Sequence, residues 1–159
     1  MQLDPAQLKH VLDVWPVARL ATQRTANRPQ VVPMVFVLID GAIYSPIDGK
    51  PKKTGNVQRV RNVARNGAVS LLLDHYDADW RTLWWLRIDG AADVVDGDDL
   101  PVGELNRIDA ALRRKYPQYE YTPVFRDRAT LIRIRPESHL AWSARSVDWE
   151  ALDAPRVSP

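Results

Sequence analysis

The thirty residues from Val17 to Pro46, VARLATQRTANRPQVVPMVFVLIDGAIYSP, decide the fold. Val17–Thr22 alternates in the manner of a strand, and Asn27-Arg28-Pro29 marks a turn. Gln30–Ile39, QVVPMVFVLI, carries too many β-branched residues for a comfortable helix. Asp40–Gly41 is a strong hairpin signal leading into Ala42–Pro46. Strands joined by turns this short pair antiparallel.

Working outward, Asp4, Pro5 and Gln7 form a capping-box helix start. Leu8, Val11, Leu12 and Trp15 follow at helical spacing, and Pro16 is the stop. Beyond the central stretch, Val57, Val60, Val63 and Ala64 make an apolar stripe on a second helix that Gly67 should end. AVSLLLDHY and TLWWLRIDGAADVV read as strands joined around DADW. A third helix is expected from about Leu100 to Tyr116, with Leu105, Ile108 and Leu112 as its core stripe. ATLIRIRPE then alternates, with HLAWS as a short continuation. About six strands with few helices predict a small mainly-β barrel of the α+β class, an architecture that removes exposed edges. A single domain is expected over residues 1–147, with residues 148–159 as a polar, proline-bearing, loosely held tail.

Composition narrows the function. Apolar residues make up 45% and charged residues 26%, ordinary for a globular chain with one core. There is no cysteine, so disulfides, thiolate metal sites and Cys–His catalysis are excluded. The first residues lack the order of a signal peptide, and no apolar run approaches the roughly 18 residues that span a bilayer. A cytoplasmic protein that engages no membrane is expected. A net charge of +2 argues against a general nucleic-acid binder.

Arginines outnumber lysines seventeen to five, yet three of the five lysines, Lys50, Lys52 and Lys53, fall within four positions. They flank a proline and precede Thr54-Gly55-Asn56, where a helix opens. A helix N-terminus with ammonium groups nearby suits a phosphate; a solvated basic turn would look the same. No GxGxxG, P-loop, GxSxG or HExxH motif occurs. His10, His75 and His139 lie on separate elements, and Asp74, Asp77 and Asp79 read as a solvated turn, so no metal is expected. Trp84 and Trp85 are neighbours on a strand, so one of them must leave the core face and find a planar ligand or a subunit interface.

In order and spacing, the Val17–Tyr76 stretch and LWWLRIDGAADV resemble the pyridoxamine 5′-phosphate oxidase-like, flavin-binding split-barrel proteins, in particular the branch using the deazaflavin coenzyme F-420. Asn27 stands where the family's turn has glycine, and Asn66–Gly67 stands where it has Asn-Pro. The resemblance implies a homodimer of six-stranded antiparallel split barrels with flanking helices and two cofactor sites across the subunit interface. It implies that the backbone of Val31, Val32 and Pro33 lies along the ring system, that Ser45 sits near the phosphate, and that Trp85 contacts the rings. Lys50, Lys52, Lys53 and Arg59 are the candidate phosphate ligands. The function so implied is hydride transfer from reduced coenzyme F-420 to a conjugated or heteroaromatic small molecule, with solvent, His75 or Tyr44 as proton sources. An FMN enzyme resembling pyridoxamine phosphate oxidase and a non-catalytic flavin- or haem-binding module are the alternatives.

Overall fold

The computed structural model describes residues 1–47, 58–125 and 128–154. Helix α1 (Pro5–Val14) starts with the reciprocal cap that the sequence predicts. The Ala6 and Gln7 amides donate to the Asp4 carboxylate, and the Asp4 amide donates to the Gln7 side chain. The strands β1 (Ala18–Gln23), β2 (Pro29–Met34), β3 (Val37–Ile39), β4 (Ala42–Pro46), β5 (Ala68–His75), β6 (Trp84–Asp96) and β7 (Thr130–Ser143) form one antiparallel sheet. Asp40 and Gly41 both adopt positive φ, 49° and 82°, as a type I′ hairpin requires. Asn27, at φ 56°, takes the left-handed turn position where its short polar side chain is tolerated.

The strand order is β2-β1-β5-β6-β7-β4-β3, so β2 and β3 are the two edges. Only Val35 and Phe36 separate them in the chain. Two residues span at most about 11 Å between flanking Cα atoms, so the end of one edge meets the start of the other and the sheet curls into an open barrel split between β2 and β3. The expected count of six strands becomes seven because QVVPMVFVLI breaks at this point. Tyr116 supplies the reason: the Phe36 amide donates to the Tyr116 hydroxyl at 2.9 Å, and that hydroxyl in turn reaches the Phe36 and Pro16 carbonyls at 2.8 and 2.9 Å. Phe36 thereby satisfies its backbone groups outside the ladder.

The inner face of the sheet encloses one core, with Leu20, Phe36, Ile43, Leu71, Leu73, Leu86, Ile88, Ile132 and Ile134 fully buried together with Val11 and Leu12 of α1. Helix α3 (Glu104–Lys115) covers part of the outer face, packing Ile108, Ala111 and Leu112 against Val37, Tyr44 and Leu131. The long β6–β7 ladder contains a bulge at Asp89–Gly90, where a side chain at Gly90 would collide with the Arg135 carbonyl oxygen. The expected loose tail from Asp148 has an anchor in Trp149, which is buried edge-on against Trp84 at 5.5 Å.

Helix α2 (Gln58–Arg65) differs from the apolar stripe read in the sequence. Val63 is buried and Val60 packs partly on the core as expected, Val57 lies outside the described residues, and Ala64 is exposed, while Arg59 and Asn62 also turn inward. The Asn62 amide donates to the Thr22 hydroxyl at 2.9 Å and to the Gln30 carbonyl at 2.8 Å, while accepting from Gln58. A polar side chain is buried here because each of its groups is met.

Candidate functional site

The site is best built from the split. On edge strand β2 the side chains alternate, so Val31 and Pro33 face outward, and Val31 is 61% exposed. Val32 turns inward and packs on the core. Ser45 follows Tyr44, the partner of Val37, and so lies beside Phe36, three residues from Pro33. Its side chain shares the inner face with Ile43; it is 1% exposed, and its hydroxyl has no hydrogen-bond partner among the described residues. Leaving such a group unpaired costs on the order of 1–3 kcal/mol, so a bound polar group would recover that loss.

Arg59 is buried on the inward face of α2, one turn from Asn62. The Asn62–Gln30 bond ties that face to the residue preceding Val31. Val31 and Pro33 thus line the outer side of the β2 edge, Ser45 the inner face of β4 and Arg59 the inward face of α2. Lys50, Lys52 and Lys53 lie outside the described residues, on the segment that joins the Ser45 end of β4 to the Arg59 end of α2.

Trp85 is placed differently. Trp84 is the core member of the pair, packed against Trp15 at 4.5 Å, and Trp85 takes the outer face, half-buried. In register it lies opposite Trp142, which is 43% exposed, with Leu140 exposed on the same strand. Three inter-strand steps separate β6 from β2, about 14 Å, so one copy of the chain does not bring Trp85 and Val31–Pro33 around a single ring. The Arg19–Asp74 ion pair at 3.3 Å lies between them. The alternation of Leu140 and Trp142 in HLAWS is the sequence signal for this outer face.

The two side chains considered as proton sources are engaged elsewhere. Tyr44 lies under α3 and donates to Glu104 at 2.5 Å; burial, then that carboxylate, push its hydroxyl above the usual tyrosine range. His75 stands edge-on to Trp15 at 6.2 Å. Among the described residues no group of three or more His, Asp or Glu could hold a metal ion, and no helix is long and apolar enough to cross a membrane.

A split sheet with these features defines a flavin-binding split-barrel protein. The family model for pyridoxamine 5′-phosphate oxidase matches residues 5–143, and the chain belongs to that family. It is similar in fold to a conserved hypothetical protein from Mycobacterium tuberculosis, at 21% identity and TM-score 0.70 over 99% of this chain and 93% of the other. It is likewise similar to the haem-storage protein HutZ from Vibrio cholerae (20%, TM-score 0.65, 90% and 95%) and to an F-420 reductase (22%, TM-score 0.59, 83% and 94%). A search of curated proteins gives no match.

Proposed function

We propose that this chain is a deazaflavin-dependent oxidoreductase that passes hydride from reduced coenzyme F-420 to a conjugated or heteroaromatic small molecule. The observation that carries the reading is the buried Ser45 hydroxyl on the inner face of β4, which has no hydrogen-bond partner among the described residues. An extended edge presents backbone donors and acceptors to the rim of a ring system, while Val31 and Pro33 supply apolar contact. Ser45 and Arg59, with the lysines of the adjoining segment, suit the phosphate-bearing chain. The fold neighbour described as an F-420 reductase supports the choice of deazaflavin, and the family as a whole supports a flavin-type cofactor.

When bound, the deazaflavin supplies the hydride. The chain's own residues hold the rings against β2 and exclude water from them, and Ser45 and Arg59 anchor the phosphate end. A second copy of the chain completes the site by bringing its Trp85–Trp142 face over the rings, so the active form is a homodimer. With Tyr44 and His75 packed elsewhere, the proton that completes the reduction comes from solvent.

The test is to follow oxidation of cofactor deuterated at the hydride position against a panel of conjugated acceptors. Deuterium in the reduced product is the expected result. Tight binding with no turnover of any acceptor would favour a non-catalytic flavin- or haem-binding module. A protein that purifies yellow with FMN would move the activity to the oxidase branch. Replacing Lys52 and Lys53 together by alanine should weaken cofactor binding about tenfold or more, since each phosphate contact contributes on the order of 1–2 kcal/mol. Unchanged affinity in titrations of that variant would transfer the phosphate to Arg59.

A further inference from the structure

A second cleft, of about 280 Å³, lies where α1, β3 and the end of α3 meet, and both helices pack on β3. Leu12, Val37, Leu38 and Ala111 form its apolar wall, and Lys9, Asp13, Arg114 and Lys115 its polar one. Lys9 is already paired with Asp13. Among the described residues neither Arg114 nor Lys115 lies within ion-pair distance of a carboxylate, so the cavity's three cations, Lys9, Arg114 and Lys115, face the single carboxylate of Asp13, which is paired with Lys9. Lys115 is mostly buried and well placed: its ammonium donates to the Leu12 carbonyl at 2.6 Å and sits 3.7 Å above the centre of the Phe36 ring. That carbonyl belongs to the last turn of α1, where carbonyls lack helical partners. That carbonyl uses one of the three ammonium N–H groups.

We propose that this cleft binds a small organic anion, its acid group held between Arg114 and Lys115 and its carbon body laid on Leu12, Val37 and Leu38. Two cations lining one cleft select the charge, and the apolar wall selects an acid with a ring or short branched body over a bare inorganic ion. The site lies between α1 and α3, over the β3 edge.

Binding is coupled to pH. Burial pushes the Lys115 ammonium down to about 7, with Asp13 opposing, so the amine loses its proton as pH rises through neutrality. The charged and titratable groups facing it are Asp13 and Lys9 on α1, Arg114 on α3 and Tyr116, whose ring centre lies 5.6 Å away; β3 presents only Val37 and Leu38. The test is calorimetric titration of the full chain with benzoate and benzenesulfonate, whose charge is constant across the range, and with benzyl alcohol as the neutral match.

Saturable binding of both acids and none of the alcohol is expected. Affinity should fall by more than about tenfold from pH 6.5 to 8.5. Lys115→Met should remove the pH dependence. Arg114→Gln, on an exposed residue, should weaken binding about tenfold while keeping it. Equal binding of the alcohol, no saturation by either acid, or affinity unmoved by Arg114→Gln would overturn the assignment. Should Lys115→Met fail to fold, the Arg114→Gln result stands on its own.

Discussion

Tyr116 meets both backbone groups of Phe36 with one hydroxyl, at the point where the chain passes from one sheet edge to the other. Tyr116→Phe keeps the ring and removes the hydroxyl, leaving a buried N–H and C=O to find new partners. A loss of about 1–3 kcal/mol is expected, read as a lower denaturant midpoint at unchanged slope. Lys115 makes a second residue-scale prediction. Its folded pKa of about 7 lies below the ordinary 10.5, so the unfolded chain binds the extra proton between these values. Stability therefore rises with pH through that window, at up to about 1.4 kcal/mol per pH unit, and is lowest below pH 7, where the buried amine is charged. Wild type should gain on Lys115→Met in urea melts run between pH 7 and pH 9; parallel curves would contradict the burial argument. Neither residue could be singled out from the sequence, because each matters through a partner some eighty or a hundred residues away.

Among the elements, those specified by their own residues were the legible ones. Asp4, Pro5 and Gln7 define the start of α1, and Asp40–Gly41 defines the hairpin between β3 and β4, through local backbone chemistry alone. The break between β2 and β3 was hidden, because it depends on Tyr116 of a distant helix end. Helix α2 was half legible: Val63 follows the apolar rule, but Asn62 is buried for its bonds to Thr22 and Gln30, which no periodicity reveals. Since that bond ties α2 to β2, Asn62→Leu should leave Thr22 and Gln30 unsatisfied and loosen the helix that carries Arg59. Cofactor affinity should drop severalfold alongside a stability loss of about 1–3 kcal/mol. Stability loss without any change in affinity would show that α2 plays no part in the site.

At the scale of the whole molecule, α3 covers only the β3–β4–β7 part of the sheet's outer face, so Val31, Pro33, Leu140, Trp142 and Trp85 stay wholly or partly open to solvent on the remainder. The sequence showed that one of the paired tryptophans had to leave the core, and Trp85 is the one that does. It could not show that Trp85 lies about 14 Å from β2 within one copy, since that follows from strand order. Charging this face should keep it from pairing: Trp142→Glu is expected to sediment as a monomer and to lose cofactor binding. A variant that remains dimeric would place the interface elsewhere. The most direct check of the whole reading is a tryptophan-fluorescence titration of the purified protein with coenzyme F-420 and FMN in parallel, at low and high salt. Saturable quenching by the deazaflavin at low micromolar levels, weaker with FMN and weakened by salt, is the result that follows from a ring seated against Trp85 and a phosphate held by cations. Preference for FMN would contradict the choice of cofactor, and binding of neither would leave the fold standing while removing Ser45, Arg59 and the lysine segment from any cofactor role.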